Sequence, residues 1–102
     1  MVDTKVVLLQ ALTFGEAYGL ELIQRIEART DGKIVPVQGR VYPALRELEA
    51  EGFVESHDGE PLPERGGRPR RYYSLTAKGR RAAASHRKTV VALFNPALGL
   101  SR

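Results

Sequence analysis

The chain has no cysteine, no tryptophan and a single methionine. The missing cysteine removes disulfides, thiol nucleophiles and every Cys-ligated zinc or iron–sulfur centre. Histidine is nearly as scarce: only His57 and His86 are present, and neither has neighbours arranged as metal ligands. Ser56 adjoins His57, but neighbours on a strand point to opposite faces and cannot form a nucleophile–base pair. The glycines follow no phosphate-loop pattern. The longest apolar run, Val90 to Phe94, is far short of the roughly 20 residues that cross a bilayer. No basic segment followed by an apolar stretch opens the chain, so no signal peptide is expected. These absences describe a small soluble cytoplasmic protein that is not an enzyme, binds no membrane and holds no metal or cofactor.

What is present fits one folded domain. Of 102 residues, 42% are hydrophobic, enough for a core. The charge is divided unevenly. All 12 acidic residues lie in 1–64, which also holds six Lys and Arg and nets −6. Residues 65–102 hold ten Lys and Arg, no acidic side chain, and net +10. Such a stretch cannot neutralise itself, so its charge faces solvent, an acidic partner surface or an external polyanion. Composition alone leaves a solubilising basic tail and a nucleic-acid footprint equally open.

Periodicity predicts helices first. Asp3 or Thr4 can cap a helix through Leu12 that is apolar on most sides and so packs against several neighbours. A second helix is expected from Glu16 to Arg29, with Gly19, Leu22, Ile23 and Ile26 at i, i+3, i+4 and i+7. Asp31-Gly32 ends it, and Ile34-Val35 is a candidate extended piece before Pro36. The third helix, about Gly39 to Glu51, buries Val41, Ala44, Leu45 and Leu48; Pro43, taken as a first-turn proline, places its start at residue 38 to 40, and Gly52 is its stop.

Phe53 to His57 reads as a strand, and the Gly- and Pro-rich residues 58–69 as a loop that excludes helix. Arg70 to Leu75 is the second strand of a hairpin, with Tyr73 and Leu75 inward and Tyr72 and Ser74 outward. Thr76 caps a last helix from Ala77 to about Phe94. The fold class is mainly α with a small β-hairpin: a winged helix-turn-helix domain over 1–76 plus a C-terminal dimerisation helix and tail over 77–102.

In a winged helix-turn-helix, the second helix of the pair enters the major groove and its N-terminal residues reach base edges. Gln38, Arg40, Tyr42 and Arg46 occupy that position here. Gln and Arg match the edges of adenine and guanine. Glu47, Glu49 and Glu51 follow and would repel phosphates, so only the N-terminal end can go deep. The bland alternative is an exposed amphipathic helix with Arg46 paired to Glu49. Arg65, Arg68, Arg70 and Arg71 cluster around Gly66, Gly67 and Pro69 in the wing, where forked guanidinium groups suit phosphate. A solvated loop without a ligand is the competing reading.

Three motifs in register resemble one family. They are Tyr18-Gly19-Leu20-Glu21-Leu22, the run from Gly39 through Tyr42 and Pro43 to Val54, and Gly67-Arg68-Pro69-Arg70-Arg71-Tyr72-Tyr73-Ser74-Leu75-Thr76. Together they are similar to the PadR family of bacterial transcriptional regulators, over about residues 4 to 94. The resemblance implies a winged-helix repressor of the shorter branch, dimerising through its last helix. It implies that Gly39, Arg40 and Tyr42 sit against DNA, with the wing arginines on the backbone. Arg40 stands where the family usually has Ser or Thr, which implies an altered base preference. The absence of Trp argues against an aromatic drug sandwich on the last helix.

Independently of the family, Val90, Val91, Leu93 and Phe94 make the second half of the last helix apolar. A second copy, pairing also through the first helix, would bury this surface; folding back on its own domain is the alternative. Two-fold symmetry would then place two recognition helices about one DNA turn, ~34 Å, apart on a pseudo-palindromic operator. The expected partners are an operator duplex and a second copy, with room for a small-molecule effector that the sequence does not name. The competing function is a winged-helix protein-interaction module with only non-specific DNA affinity.

Overall fold

A computed structural model of the chain describes residues 3–87. Val90, Val91, Leu93 and Phe94, and the expected end of the last helix, lie outside the described residues. The order is α1 (Thr4–Leu12), β1 (Ala17–Tyr18), α2 (Gly19–Arg29), α3 (Gln38–Ala50), β2 (Val54–Pro61), β3 (Pro69–Leu75) and α4 (Ala77–Ser85).

α1 is the hub. Val7, Leu8, Leu9, Ala11 and Leu12 are all buried, because this apolar helix packs against α2, α3 and α4 together. α2 buries Gly19, Leu22, Ile23 and Ile26, as its spacing predicts. The second helix nevertheless starts three residues later than expected. Ala17 and Tyr18 form a short strand that pairs antiparallel with Tyr73 and Tyr72, so the hairpin is the larger part of a three-stranded sheet ordered β1-β3-β2. Glu21 then accepts a hydrogen bond from the Tyr18 N–H at 3.3 Å and starts the helix.

The turn into α3 is closed by its own groups. Asp31 adopts φ 54°, and the N–H groups of Gly32 and Asp31 return to the carbonyls of Glu27 and Ala28. The buried Thr30 hydroxyl donates to the Ile26 carbonyl at 2.7 Å and accepts from the Ile34 N–H at 3.1 Å. Ile34 and Val35 form no strand.

α3 buries Val41, Ala44, Leu45 and Leu48. It begins at Gln38, within the start at residue 38 to 40 that Pro43 implies, although Pro43 itself then falls in the second turn. Proline has no N–H to offer the Gly39 carbonyl, so the helix lacks one interior hydrogen bond there. At the other end Gly52 (φ 84°) and Phe53 send their N–H groups back to Glu49 and Leu48, terminating the helix where glycine was expected to.

β2 runs four residues further than the sequence suggests, to Pro61. Between the Asp58–Arg71 and Pro61–Pro69 pairs it carries one more residue than β3, a bulge at the Gly59-Glu60 step. The Tyr72 ring lies over Gly59, where a Cβ would come within 2.6 Å of the ring. The loop is correspondingly shorter, and Pro63–Arg65 form a 3-10 turn inside a stretch expected to exclude helix. One short turn needs few N–H donors, so proline at its first position is no obstacle. Tyr73 and Leu75 point into the core, as alternation predicts. Thr76 caps α4, accepting from the Gly79 N–H at 3.1 Å. A Cβ at Gly79 would overlap the Phe53 carbonyl oxygen, so glycine sets how closely α4 approaches the sheet.

Candidate nucleic-acid interface

The N-terminal end of α3 is bare. Gln38, Gly39, Arg40 and Arg46 are exposed, and a Cβ added at Gly39 would meet nothing within 4 Å. Neither Gln38, Arg40 nor Arg46 makes a side-chain hydrogen bond or ion pair among the described residues. The Arg46–Glu49 pair of the bland alternative is therefore not formed. Glu49 instead accepts from the Ser56 hydroxyl at 2.6 Å.

The C-terminal end is tied down. Lys5 on α1 reaches Glu47 at 2.8 Å and Glu51 at 3.2 Å. The two carboxylates, through hydrogen bonds first and charge second, raise the Lys5 pKa above its ordinary value. Lys78 donates to the Glu51 carbonyl at 2.6 Å and lies 4.5 Å from the centre of the Phe53 ring. Three carboxylates near a helix C-terminus oppose its dipole, and the two lysines offset that.

Tyr42 and Pro43 lie between these ends. Tyr42 is half-buried rather than fully on the exposed face: its ring edge and hydroxyl cover Gly19 at the start of α2, where any Cβ would strike the ring. The phenol makes no hydrogen bond among the described residues, so its position is fixed by packing and its donor is unspent. Helical spacing put Gly19 on the apolar face of α2. Only the tertiary contact shows that Tyr42 is what it accommodates.

The four wing arginines divide into two pairs. Arg71 donates to Asp58 across the hairpin at 3.1 Å. The Arg70 guanidinium lies 4.5 Å from the centre of the Tyr18 ring, and that ring meets Tyr72 edge-on at 5.5 Å. Both therefore belong to the stem of the wing. Arg65 and Arg68 occupy the tip, each donating its Nε to the other's carbonyl at 3.3 and 3.0 Å. Those bonds leave the Nη groups of both without a partner among the described residues, on a turn held by Gly66 (φ 68°) and Gly67 (φ 86°).

His57 is a fastener that no sequence pattern announces. Its Nε2 lies 2.8 Å from Glu16 Oε1, tying β2 to the segment before β1, and its ring stacks on Tyr72. The Glu16 hydrogen bond, followed by that to the Asp58 carbonyl, raises the His57 pKa above 6.5. No group of three or more metal-ligating side chains occurs among the described residues. No helix among them is long and apolar enough to cross a membrane.

A helix-turn-helix with an arginine-tipped wing is an architecture shared by many regulators. The profile of the transcriptional regulator PadR-like family matches residues 8–85. The chain belongs to this PadR-like family of transcriptional regulators. No curated protein sequence matches it. Among solved structures, a transcriptional regulator from Clostridium thermocellum is 23% identical, with a TM-score of 0.73 over 97% of this chain and 90% of that one. Bacillus subtilis PadR, in complex with operator DNA, is 21% identical with a TM-score of 0.69, covering 79% of this chain and 43% of that one. Pex from Synechococcus is 26% identical with a TM-score of 0.68, over 87% and 83%. The PadR-like assignment agrees with the fold, and the winged helix is the architecture expected from the sequence.

Proposed function

We propose that this PadR-like protein is a homodimeric, sequence-specific DNA-binding repressor of a pseudo-palindromic operator, acting in the cytoplasm. The observation that carries the reading is the bare start of α3. Gln38, Arg40 and Arg46 are exposed and without side-chain hydrogen bonds or ion pairs among the described residues, on a helix whose carboxylates are already occupied. Gln38 and Arg40 read base edges, Gly39 lets the groove come close to the backbone, and Tyr42, Pro43 and Arg46 meet the flanking phosphates and sugars. Arg65 and Arg68 bind phosphate, while Arg70 and Arg71 hold the wing that presents them. The 1–76 region is the DNA-binding unit, and 77–102, through Val90, Val91, Leu93 and Phe94, joins two copies.

A cleft of about 690 Å³ lies between the end of α1 and α4, and Gln10 lines it. Gln10 is 8% exposed, yet its Oε1 has no hydrogen-bond partner among the described residues. Two copies would present two α3 helices roughly 34 Å apart.

The reading is tested by fluorescence-anisotropy titration of DNA from upstream of this protein's own gene against a shuffled duplex at two salt concentrations. A preference of about a thousandfold near physiological salt is expected of a specific regulator. No binding even at low salt would overturn it and favour a protein partner for the basic half.

A further inference from the structure

Four large hydrophobic side chains are exposed among the described residues: Phe14, Leu20, Val35 and Val37. The Phe14 ring is covered by Arg29, whose guanidinium carbon lies 3.5 Å from its centre. The other three belong to the helix-turn-helix, and Val37 has the least local reason to be what it is. It is the N-cap of α3, with φ −108° and ψ 150°, and its side chain can make no cap bond. That position favours Ser, Thr, Asp or Asn, whose oxygen takes a free N–H of the first turn, and valine is among the poorest choices. Packing does not explain it either, since Val37 remains 56% exposed. A residue that serves neither its cap nor the core departs from local preference, and functional positions are where such departures concentrate.

Its surroundings indicate what it meets. Gln38, Gly39 and Arg40 follow directly and are exposed, and nothing stands over Gly39. A surface approaching Gln38 and Arg40 therefore also approaches Val37. In the major groove the one apolar group on a base edge is the 5-methyl of thymine. We infer that the Val37 side chain packs on a thymine 5-methyl group, making it a specificity-determining residue beside Gln38 and Arg40. This rests on the DNA-binding reading above, so the test separates the two.

The probe is a duplex enriched by this protein from a random-sequence pool, resynthesised with deoxyuracil replacing thymine at one position at a time. Only the methyl group is removed, leaving hydrogen bonding intact. The unsubstituted protein is expected to lose roughly fourfold in affinity at one thymine per half-site, the size of one buried methyl contact. Val37→Ser supplies a favoured cap, so it folds and melts no lower than the parent. It is expected to bind the thymine and deoxyuracil forms equally. Indifference of the parent protein at every thymine, or the same penalty in Val37→Ser, overturns the inference while leaving DNA binding standing. Failure of the pool to enrich any sequence overturns the DNA-binding reading and this inference with it.

Discussion

The two ends of α3 use their polar side chains in opposite ways. At the C-terminal end Glu47 and Glu51 are held by Lys5, Glu49 by Ser56, and the Glu51 carbonyl by Lys78. At the N-terminal end Gln38 and Arg40 have no such bonds among the described residues, and even the cap position carries a valine. One end spends its polar groups on the fold, and the other keeps them for something outside the molecule. A helix exposed merely for solubility has no reason for this asymmetry, because hydration would serve both ends alike.

Changing Arg40 is the sharpest way to break the contrast. Arg40→Ala should cost about 1–3 kcal/mol of specific affinity, the worth of a bidentate base contact, with the melting temperature unchanged. Unchanged operator binding would remove this end of the helix from the interface. At the wing tip, Arg68→Ala should weaken operator and random DNA alike and lower the salt slope by about one unit. A loss confined to the operator would show the wing reading bases or groove shape instead.

The opposite end should respond in the opposite sense. Lys5→Ala releases Glu47 and Glu51, so it should lower thermal stability slightly and leave base preference unaltered. A change of preference would mean that the C-terminal end also touches DNA.

The smallest effect is expected at His57. Its pKa in the fold is raised above 6.5 by Glu16, so the stability it contributes is complete below pH 6.5 and is lost as pH rises through the folded value. Lowering the pH from about 8 to about 6 should therefore raise the melting temperature of the parent relative to that of His57→Gln. An identical pH dependence would show that the Glu16 pair contributes nothing.

Most of this fold is legible locally. The stripes on α2 and α3, the stop at Gly52 and the cap at Thr76 depend on residues a few positions apart, and each occurs where the spacing puts it. The misses are non-local. β1 is two residues long, and its partners Tyr72 and Tyr73 lie more than fifty positions away, so no periodicity announces it. β2 outlasts its apparent end because Gly59, read as a loop residue, makes room for the Tyr72 ring. Within the candidate interface, the arginine cluster is visible in sequence. Its division into tip and stem is not, since that depends on the Asp58–Arg71 register and on Tyr18 reaching Arg70. Tyr42 is visible as a candidate contact, but its seat on Gly19 requires α2 and α3 to be packed first.

The most direct test of the contrast within α3 is a backbone-amide NMR titration of the protein with a duplex it selects. The largest shifts are expected at residues 37–42 and 64–68, with 47–51 nearly unmoved. Shifts centred on 47–51, or spread evenly over the surface, would contradict it.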